Sequence, residues 1–308
     1  MTHVVNILMA IDRILLTGAT GYFGSRLVAP LLSLATSVQV IVRDAAKGEA
    51  LVAQHGPSLS YTVLDLVPEN IEQLKEILRQ VTVFVHTAVI FTPQGVAFED
   101  SLYPTILEVG AEAKASGRKF HYVLTSGTLL YGSPEEPFSE YSTLENANQL
   151  VAWKVPQEKA ILEAAGGSFL TSVVRSTFIY PGSHITTWAE AGKREGKLKV
   201  GSNLQNFTVL IHVEDLIELF RIIITKEVQG PFIGVDETPL TIEQVLHKVQ
   251  ELTGVTETEE FTNPFELLHS HGFFIFGQTA SQKAIAARAE EIGWVRRYPS
   301  FLDAPQQL

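Results

Sequence analysis

The 308-residue chain contains no cysteine, which excludes disulfides, thiolate metal sites and cysteine nucleophiles. It also lacks a basic excess. Lys and Arg number 23 against 34 Asp and Glu, a formal charge of −11, and an acidic protein is repelled by nucleic acid and by anionic membrane, so neither is expected as a partner. No His or carboxylate pair has metal-ligand spacing, and no metal site is expected. The apolar patch at Val4, Val5, Ile7, Leu8 and Met9 has no basic flank and no small-residue cleavage site. Neither a signal peptide nor a membrane span is expected from it, and a cytoplasmic location is. Internal repeats and low-complexity linkers are missing too. What is present is ordinary for a soluble fold: 45% apolar and 19% charged residues, with length enough for one large α/β domain or one domain and a smaller lobe.

The most informative stretch is Arg13 to Pro30. The apolar run Ile14, Leu15, Leu16 ends at Thr17, three glycines follow at Gly18, Gly21 and Gly24, and an apolar-periodic segment carries Leu27, Val28, Leu31 and Leu32. That order is strand, tight turn, helix. Gly18 permits the turn, Gly21 lets backbone approach a pyrophosphate, and Gly24 lets helix pack close to strand; free N–H groups at the helix start favour the phosphate charge. Pro30 is expected to kink or end this helix early. Further strands are expected at 38–42, 59–64, 81–85, 120–124 and 169–174, alternating with helices at 45–54, 71–78, 106–115 and around 154–164. Such alternation predicts a Rossmann-type, doubly wound parallel sheet with ligands at the carboxyl ends of the strands. After about residue 180 the rhythm changes: helices are expected at 185–196, 213–225, 241–252 (with Thr241 as cap and Glu243 as its partner) and 281–292, and short strands at 198–200 and 232–235. Residues 1–180 read as a dinucleotide-binding domain and 181–308 as a smaller C-terminal substrate-binding lobe, some of whose elements return to the first. The tail around Trp294 is expected over the substrate side.

Later segments, in the same order, resemble the extended and atypical short-chain dehydrogenase/reductases, the epimerase/dehydratase-like superfamily. They are Asp65-Leu66 after the third strand, Val85-His86-Thr87-Ala88, Thr125-Ser126-Gly127-Thr128 with Tyr131-Gly132, Arg175 through Tyr180-Pro181-Gly182, and Ile211 through Leu216. The resemblance implies a nicotinamide dinucleotide held by Gly18, Thr20, Gly21, Tyr22, Phe23 and Gly24, with Asp65 and Leu66 near the adenine, Thr87 and Ala88 lining the cofactor, and Tyr180 and Lys154 toward the nicotinamide. A local signal bears on which cofactor. NAD-preferring sites place an acid at the end of the second strand for the ribose 2′-hydroxyl. Here Arg43 stands there, with Lys47 a turn later, and a guanidinium suits a 2′-phosphate. NADP(H) is therefore favoured over NAD(H), against the competing reading of Arg43 as the solvated partner of Asp44.

One part departs from the family. Its redox members carry a Tyr four residues before the Lys on one helix face, where the phenol handles the proton. Four residues before Lys154 stands Leu150; four before Lys159 stands Val155. The usual Tyr is missing in either register, and the family's Ser/Thr position falls on Gly127. Ser126, Thr128 and Tyr131 are the candidates, with Lys154, for the missing chemistry. Phe91, Tyr131, His184, Trp188 and Phe207 are expected to line a pocket for a small hydrophobic molecule, and His86 to pack beside the cofactor. A homodimer is left open. Three functions fit: an NADP(H)-dependent reductase or dehydrogenase with a non-standard proton donor, a non-redox isomerase or cyclase keeping the cofactor site as a scaffold, and a dinucleotide-sensing regulator.

Overall fold

The computed structural model describes residues 11–88, 92–305 and 308. The first half alternates as expected: β1 (Ile11–Thr17), α1 (Tyr22–Leu32), β2 (Ala35–Val42), α2 (Ala45–His55), β3 (Leu59–Val63), α3 (Ile71–Leu78), β4 (Val83–His86), α4 (Pro93–Ser116), β5 (Phe120–Gly127), α5 (Lys154–Ala164) and β6 (Phe169–Ser176). Then come β7 (Phe178–Tyr180), α6 (His184–Glu195), β8 (Leu198–Val200), β9 (Phe207–Thr208), β10 (Leu210–His212), α7 (Val213–Lys226), β11 (Gly230–Gly234), β12 (Leu240–Thr241), α8 (Ile242–Thr253), β13 (Thr258–Glu260), α9 (Pro264–His271), α10 (Phe274–Gly277) and α11 (Ala287–Glu291). Seven strands form the main sheet in the order β11-β6-β5-β4-β1-β2-β3. The pairings β1–β2, β1–β4, β2–β3 and β4–β5 are parallel. This is the Rossmann-like α/β fold, with flanking helices.

Continuous apolar runs explain the central strands. Ile14, Leu15 and Leu16 are fully buried, as are Phe84 and Val85, because a parallel strand is covered on both faces. Around them Leu74, Leu78, Leu102, Ile106, Phe120 and Phe169 complete one core cluster. The strand order places the turn after β1 beside the crossover between β1 and β4, where the sheet's connections diverge and the fold opens a crevice for ligands.

Three expectations about elements need correction. The helix expected at 106–115 begins at Pro93: Thr92 caps it by accepting Gly95 N–H at 3.2 Å, and it runs through Pro104 to Gly117 in the left-handed region. Burial of Phe98, Leu102, Ile106 and Val109 on both sides of the proline holds it as one rod. The capping partner of Thr241 is Gln244 and not Glu243, since the reciprocal bonds need the third helical residue. Of the helix expected at 281–292 only Ala287–Glu291 forms, because 283–285 bonds across to Phe138. Pro30 falls in the last turn of α1, which ends two residues later at Leu32.

Contacts divide the chain differently from the consecutive 1–180 and 181–308. One compact unit holds the described residues up to 125 with Lys159–Val173 and Ile223–Gly230; the other holds Ser126–Glu158, Val174–Ile222 and Pro231–Leu308. No helix among the described residues is long and apolar enough to cross a membrane.

Candidate active site

In the first unit the chemistry is built from backbone. Gly18 has φ +80°, and a Cβ there would lie 2.5 Å from Thr87 Oγ1. A Cβ on Gly24 would lie 2.2 Å from the Gly18 carbonyl oxygen. Side chains are therefore excluded at both positions by close approach of backbone. Gly21 N–H donates to Gly18 O at 2.9 Å, closing the turn. Gly21 is also the N-cap of α1, with no side-chain cap and no acid in the first turn, so the positive end of the helix faces outward without an internal anion.

A polar column stands beneath this turn. Thr87 Oγ1 donates to Thr17 O at 2.7 Å. Thr17 Oγ1 meets His86 Nδ1 at 2.6 Å, and His86 Nε2 meets Glu99 Oε1 at 3.0 Å. Thr17, His86 and Glu99 are all buried. The Glu99 carboxylate oxygen accepts from the Nε2 side of the ring, and the Nδ1 side faces the Thr17 hydroxyl. His86 thus lies under the turn and braces it from within.

Register fixes the neighbours of the turn. Thr17 pairs with Ile41, and Val42 with Val63, so Arg43 and Asp65 leave the sheet at the same carboxyl edge as Gly18. Asp44 caps α2, accepting Ala46 N–H at 2.9 Å; the competing Arg43–Asp44 pair does not form. Arg43 and Lys47 are exposed, and neither makes an ion pair among the described residues. Thr20 and Asp65 are exposed as well. The side chains of three other candidates point away from the edge: Phe23 is buried in the core, Leu66 belongs to the core cluster, and Ala88 packs against that cluster, so these positions offer a ligand their backbone. Tyr22 is half-buried with the Arg26 guanidinium 3.8 Å above its ring.

The second unit is built from side chains. Ser126 Oγ donates to Glu158, whose other oxygen accepts from Arg175 Nε at 3.0 Å and Nη2 at 2.9 Å. Arg175 Nη1 donates to the Tyr131 hydroxyl at 2.5 Å, and the Tyr131 ring stacks on Phe138 at 4.3 Å. Glu158, Arg175 and Tyr131 are buried. Ser126 and Tyr131 are therefore corrected from proton donors to members of a closed network, and burial pushes the Tyr131 phenol up to about 12. Thr128 differs: Gln282 Nε2 holds its carbonyl at 2.8 Å, while its hydroxyl makes no hydrogen bond among the described residues.

Lys154 opens α5 and is 2% exposed, yet its Nζ has no hydrogen-bond partner among the described residues. Its Nζ lies 5.1 Å from the centroid of the Trp153 ring. A tight turn sets it there: Val151 N–H donates to Asn148 O and Lys154 N–H to Val151 O, both at 2.9 Å, and Trp153 Nε1 donates to Leu150 O at 3.1 Å. Leu150 accordingly lies in the turn and not on the α5 face, so no helical i, i+4 pair exists here. Trp153 was missed in the sequence, where a single aromatic gives no periodic signal.

Of the remaining candidates, Tyr180 and Trp188 are packed in the core with their polar tips bonded, while His184 and Phe207 are half-buried. Tyr180 is fully buried and donates to Asp236 Oδ2 at 2.7 Å; desolvation and then the neighbouring carboxylate push its phenol far up. Trp188 is fully buried with Nε1 donating to Lys199 O at 2.7 Å. His184 Nδ1 accepts Ile179 N–H at 3.0 Å among the Phe178 and Phe273 rings, and burial lowers its pKa to about 4, leaving it neutral. Phe207 is half-buried under the Lys283 ammonium, 4.1 Å from its centroid. Phe91 lies outside the described residues. The tail docks on α7: Trp294 Nε1 donates to Asp215 O at 2.9 Å, and the Asp215 carboxylate accepts Arg297 N–H at 2.8 Å and Tyr298 N–H at 2.9 Å.

Comparison with known proteins agrees with this geometry. A 4-hydroxy-2-methyl-3-oxo-4-farnesyl-3,4-dihydroquinoline-1-oxide ketoreductase of Stigmatella aurantiaca is 29% identical over 185 residues, 54% of this chain. That match spans only 50% of the relative's own length. Among solved structures, a dTDP-glucose 4,6-dehydratase from Streptomyces venezuelae with NAD bound superposes with a TM-score of 0.74 at 18% identity over 94% of each chain. Another, from Bacillus anthracis in complex with NAD, gives 0.73 at 18% identity over 94% of this chain and 93% of that one. These likenesses establish the fold. The sequence profile of the NAD dependent epimerase/dehydratase family matches residues 14–233. With the glycine turn, the strand order and that match in hand, the chain belongs to the NAD dependent epimerase/dehydratase family.

Proposed function

We propose that the protein is an NADP(H)-dependent oxidoreductase acting on a small hydrophobic carbonyl or hydroxyl compound, with Lys154 and Thr128 doing the work of the absent Tyr. The observation that carries this reading is the Lys154 ammonium, buried and without a hydrogen-bond partner. A buried cation is costly unless something polar meets it, and ribose hydroxyls or a substrate oxygen are groups that would. The glycines fit the same ligand, since Gly18 and Gly24 leave backbone where a Cβ could not stand.

Gly18, Thr20, Gly21 and Gly24 would hold the pyrophosphate, Arg43 and Lys47 the 2′-phosphate, and Lys154 the ribose next to the nicotinamide. When bound, the nicotinamide supplies hydride exchange with the substrate carbon. Everything else falls to the chain. Lys154 Nζ meets no acceptor among the described residues, and positive charge beside a carbonyl oxygen favours the developing alkoxide. Thr128 Oγ1 offers a second donor. The relative from Stigmatella aurantiaca, named as a ketoreductase of a farnesylated dihydroquinoline oxide, supports both the reaction and the hydrophobic substrate.

The test follows the nicotinamide absorbance and the product together, with one ketone or alcohol at a time. Stoichiometric NADPH oxidation that is lost in Lys154→Ala supports the reading; product formed without NADPH loss makes the protein an isomerase or cyclase and ends it. Cofactor preference is tested separately. Arg43→Asp is expected to weaken NADPH binding roughly 10- to 100-fold, the worth of a charge-assisted hydrogen bond, and to leave NADH nearly unchanged. Equal effects on both would remove the preference.

A further inference from the structure

The second unit carries a pocket that none of the site residues above lines. It has a volume of about 260 Å³ and is lined by Asn148, Gln149, Pro264, Phe265, Phe276 and Thr279. Two features set its chemistry. No charged side chain lines it, whereas a nucleoside diphosphate needs cations; the charged residue nearest in sequence, Glu266, is an acid held by Asn263 Nδ2 at 2.9 Å. Its walls are aromatic: the Phe265 and Phe276 rings meet edge to face, centroids 4.9 Å apart at 82°, with Phe273 5.7 Å behind Phe276.

Phe265 is the informative wall. It is 54% exposed while Phe276 is 2% exposed, so one ring of the pair is anchored and the other is open to a ligand. It is not a loose side chain. Asn263 caps α9 by accepting Phe265 N–H at 3.1 Å, and Pro264 occupies the first helical position, so its backbone is set before any ligand arrives. Opposite stand two amides. Asn148 Oδ1 accepts Leu150 N–H at 3.0 Å, and its NH₂ has no partner among the described residues; nor has the Gln149 side chain. These amides belong to the same hydrogen-bonded turn that ends at Lys154.

We infer that this pocket receives the flat aromatic part of an uncharged ketone substrate, stacked on Phe265, with the Asn148 and Gln149 amides hydrogen-bonding polar groups on the ring edge. This rests on the oxidoreductase reading above and names its substrate class as aryl ketones, not sugar nucleotides. Aromatic stacking and amide contacts together give selectivity for ring planarity, since a saturated ring of equal size offers no π face.

The experiment measures equilibrium binding of 2-acetonaphthone and of cyclohexyl methyl ketone to the full chain, alongside NADPH binding and NADPH oxidation, in wild type, Phe265→Ala, Phe265→Trp and Gln149→Ala. Phe265 is exposed, and matched melting curves check that each variant folds. The expected result is that 2-acetonaphthone binds wild type at least about tenfold tighter than the cyclohexyl ketone, loses about tenfold in Phe265→Ala and stays within about threefold in Phe265→Trp, NADPH binding being constant throughout. Equal binding of 2-acetonaphthone to wild type and Phe265→Ala overturns the pocket, as does equal binding of the two ketones or displacement of 2-acetonaphthone by UDP-glucose. Phe265-dependent binding without NADPH oxidation keeps the pocket and removes the oxidoreductase reading. NADPH oxidation insensitive to Phe265 does the reverse.

Discussion

Two buried polar networks support the two halves of the chemistry, and they are built on opposite principles. In the first unit the column Thr87–Thr17–His86–Glu99 runs from hydroxyl through ring to carboxylate, and the groups offered to a ligand are backbone amides shaped by missing side chains. In the second, Ser126–Glu158–Arg175–Tyr131 is closed around an ion pair, and one turn of helix away the Lys154 ammonium is left open. The lesson is a division of labour. Where backbone is left exposed at a turn, side chains serve as bracing; where a side chain is left unbonded, its neighbours are tied off so that it alone keeps spare capacity.

The largest expected effect breaks the ionic network. Glu158→Ala leaves the Arg175 guanidinium buried and unpaired, and a loss of about 3–5 kcal/mol in urea unfolding is expected; a loss below about 1 kcal/mol would show that the pair is not the organising element. Next is acid. His121 in the first unit is held down to about 3 by burial and His184 in the second to about 4, both from 6.5. The unfolded chain takes up protons below 6.5 and the folded one does not, so their stabilisation is complete above that pH and drains as pH falls. Each should cost roughly 2 kcal/mol by about pH 5. Below about pH 4 only the share of His121 continues to drain. His121→Gln and His184→Gln should each flatten the pH dependence of the unfolding midpoint by one share; an unchanged slope in both variants contradicts the assignment.

Lys154→Met then separates function from stability. Removing a buried ammonium that no carboxylate balances should raise stability by about 1–3 kcal/mol while abolishing turnover; simultaneous loss of stability would mean that the ammonium has a structural partner after all. The smallest effect is at Thr87→Val, which deletes the bond to Thr17 O. About 1 kcal/mol of stability is expected to go, with weaker dinucleotide binding and unaltered binding of 2-acetonaphthone. Weakened ketone binding would contradict the division of labour.

Legibility in the sequence followed locality. The turn after β1 was readable because Gly18, Gly21 and Gly24 each answer to a requirement within a few residues, and the buried parallel strands because they read as plain apolar runs. Arg43 was placed correctly at a strand end, but its freedom from Asp44 depended on Asp44 capping α2, a choice between two short-range bonds that sequence leaves open. What resisted reading was set by distant partners. The segment 281–286 has a helical composition, yet Phe138 N–H donates to Lys283 O and Ile285 N–H to Phe138 O, and tertiary pairing outweighs propensity. Tyr131, Tyr180 and Trp188 looked like ligand-facing residues, Tyr180 toward the nicotinamide and the other two in the pocket, because an aromatic with a polar tip suits a ligand as well as a core; Arg175, Asp236 and the Lys199 carbonyl claimed those tips. The pocket around Phe265 was invisible for the same reason, being assembled from Asn148 and Phe276, far apart along the chain.

The open ammonium of Lys154 has a last consequence, in the cell economy of the protein more than in its chemistry. A ligand that satisfies it binds the folded chain and not the unfolded one, and at a hundredfold excess over its dissociation constant such a ligand adds about 2.7 kcal/mol to folding. Abundance of the protein would then follow the supply of its dinucleotide, with molecules deprived of it unfolding and being degraded first.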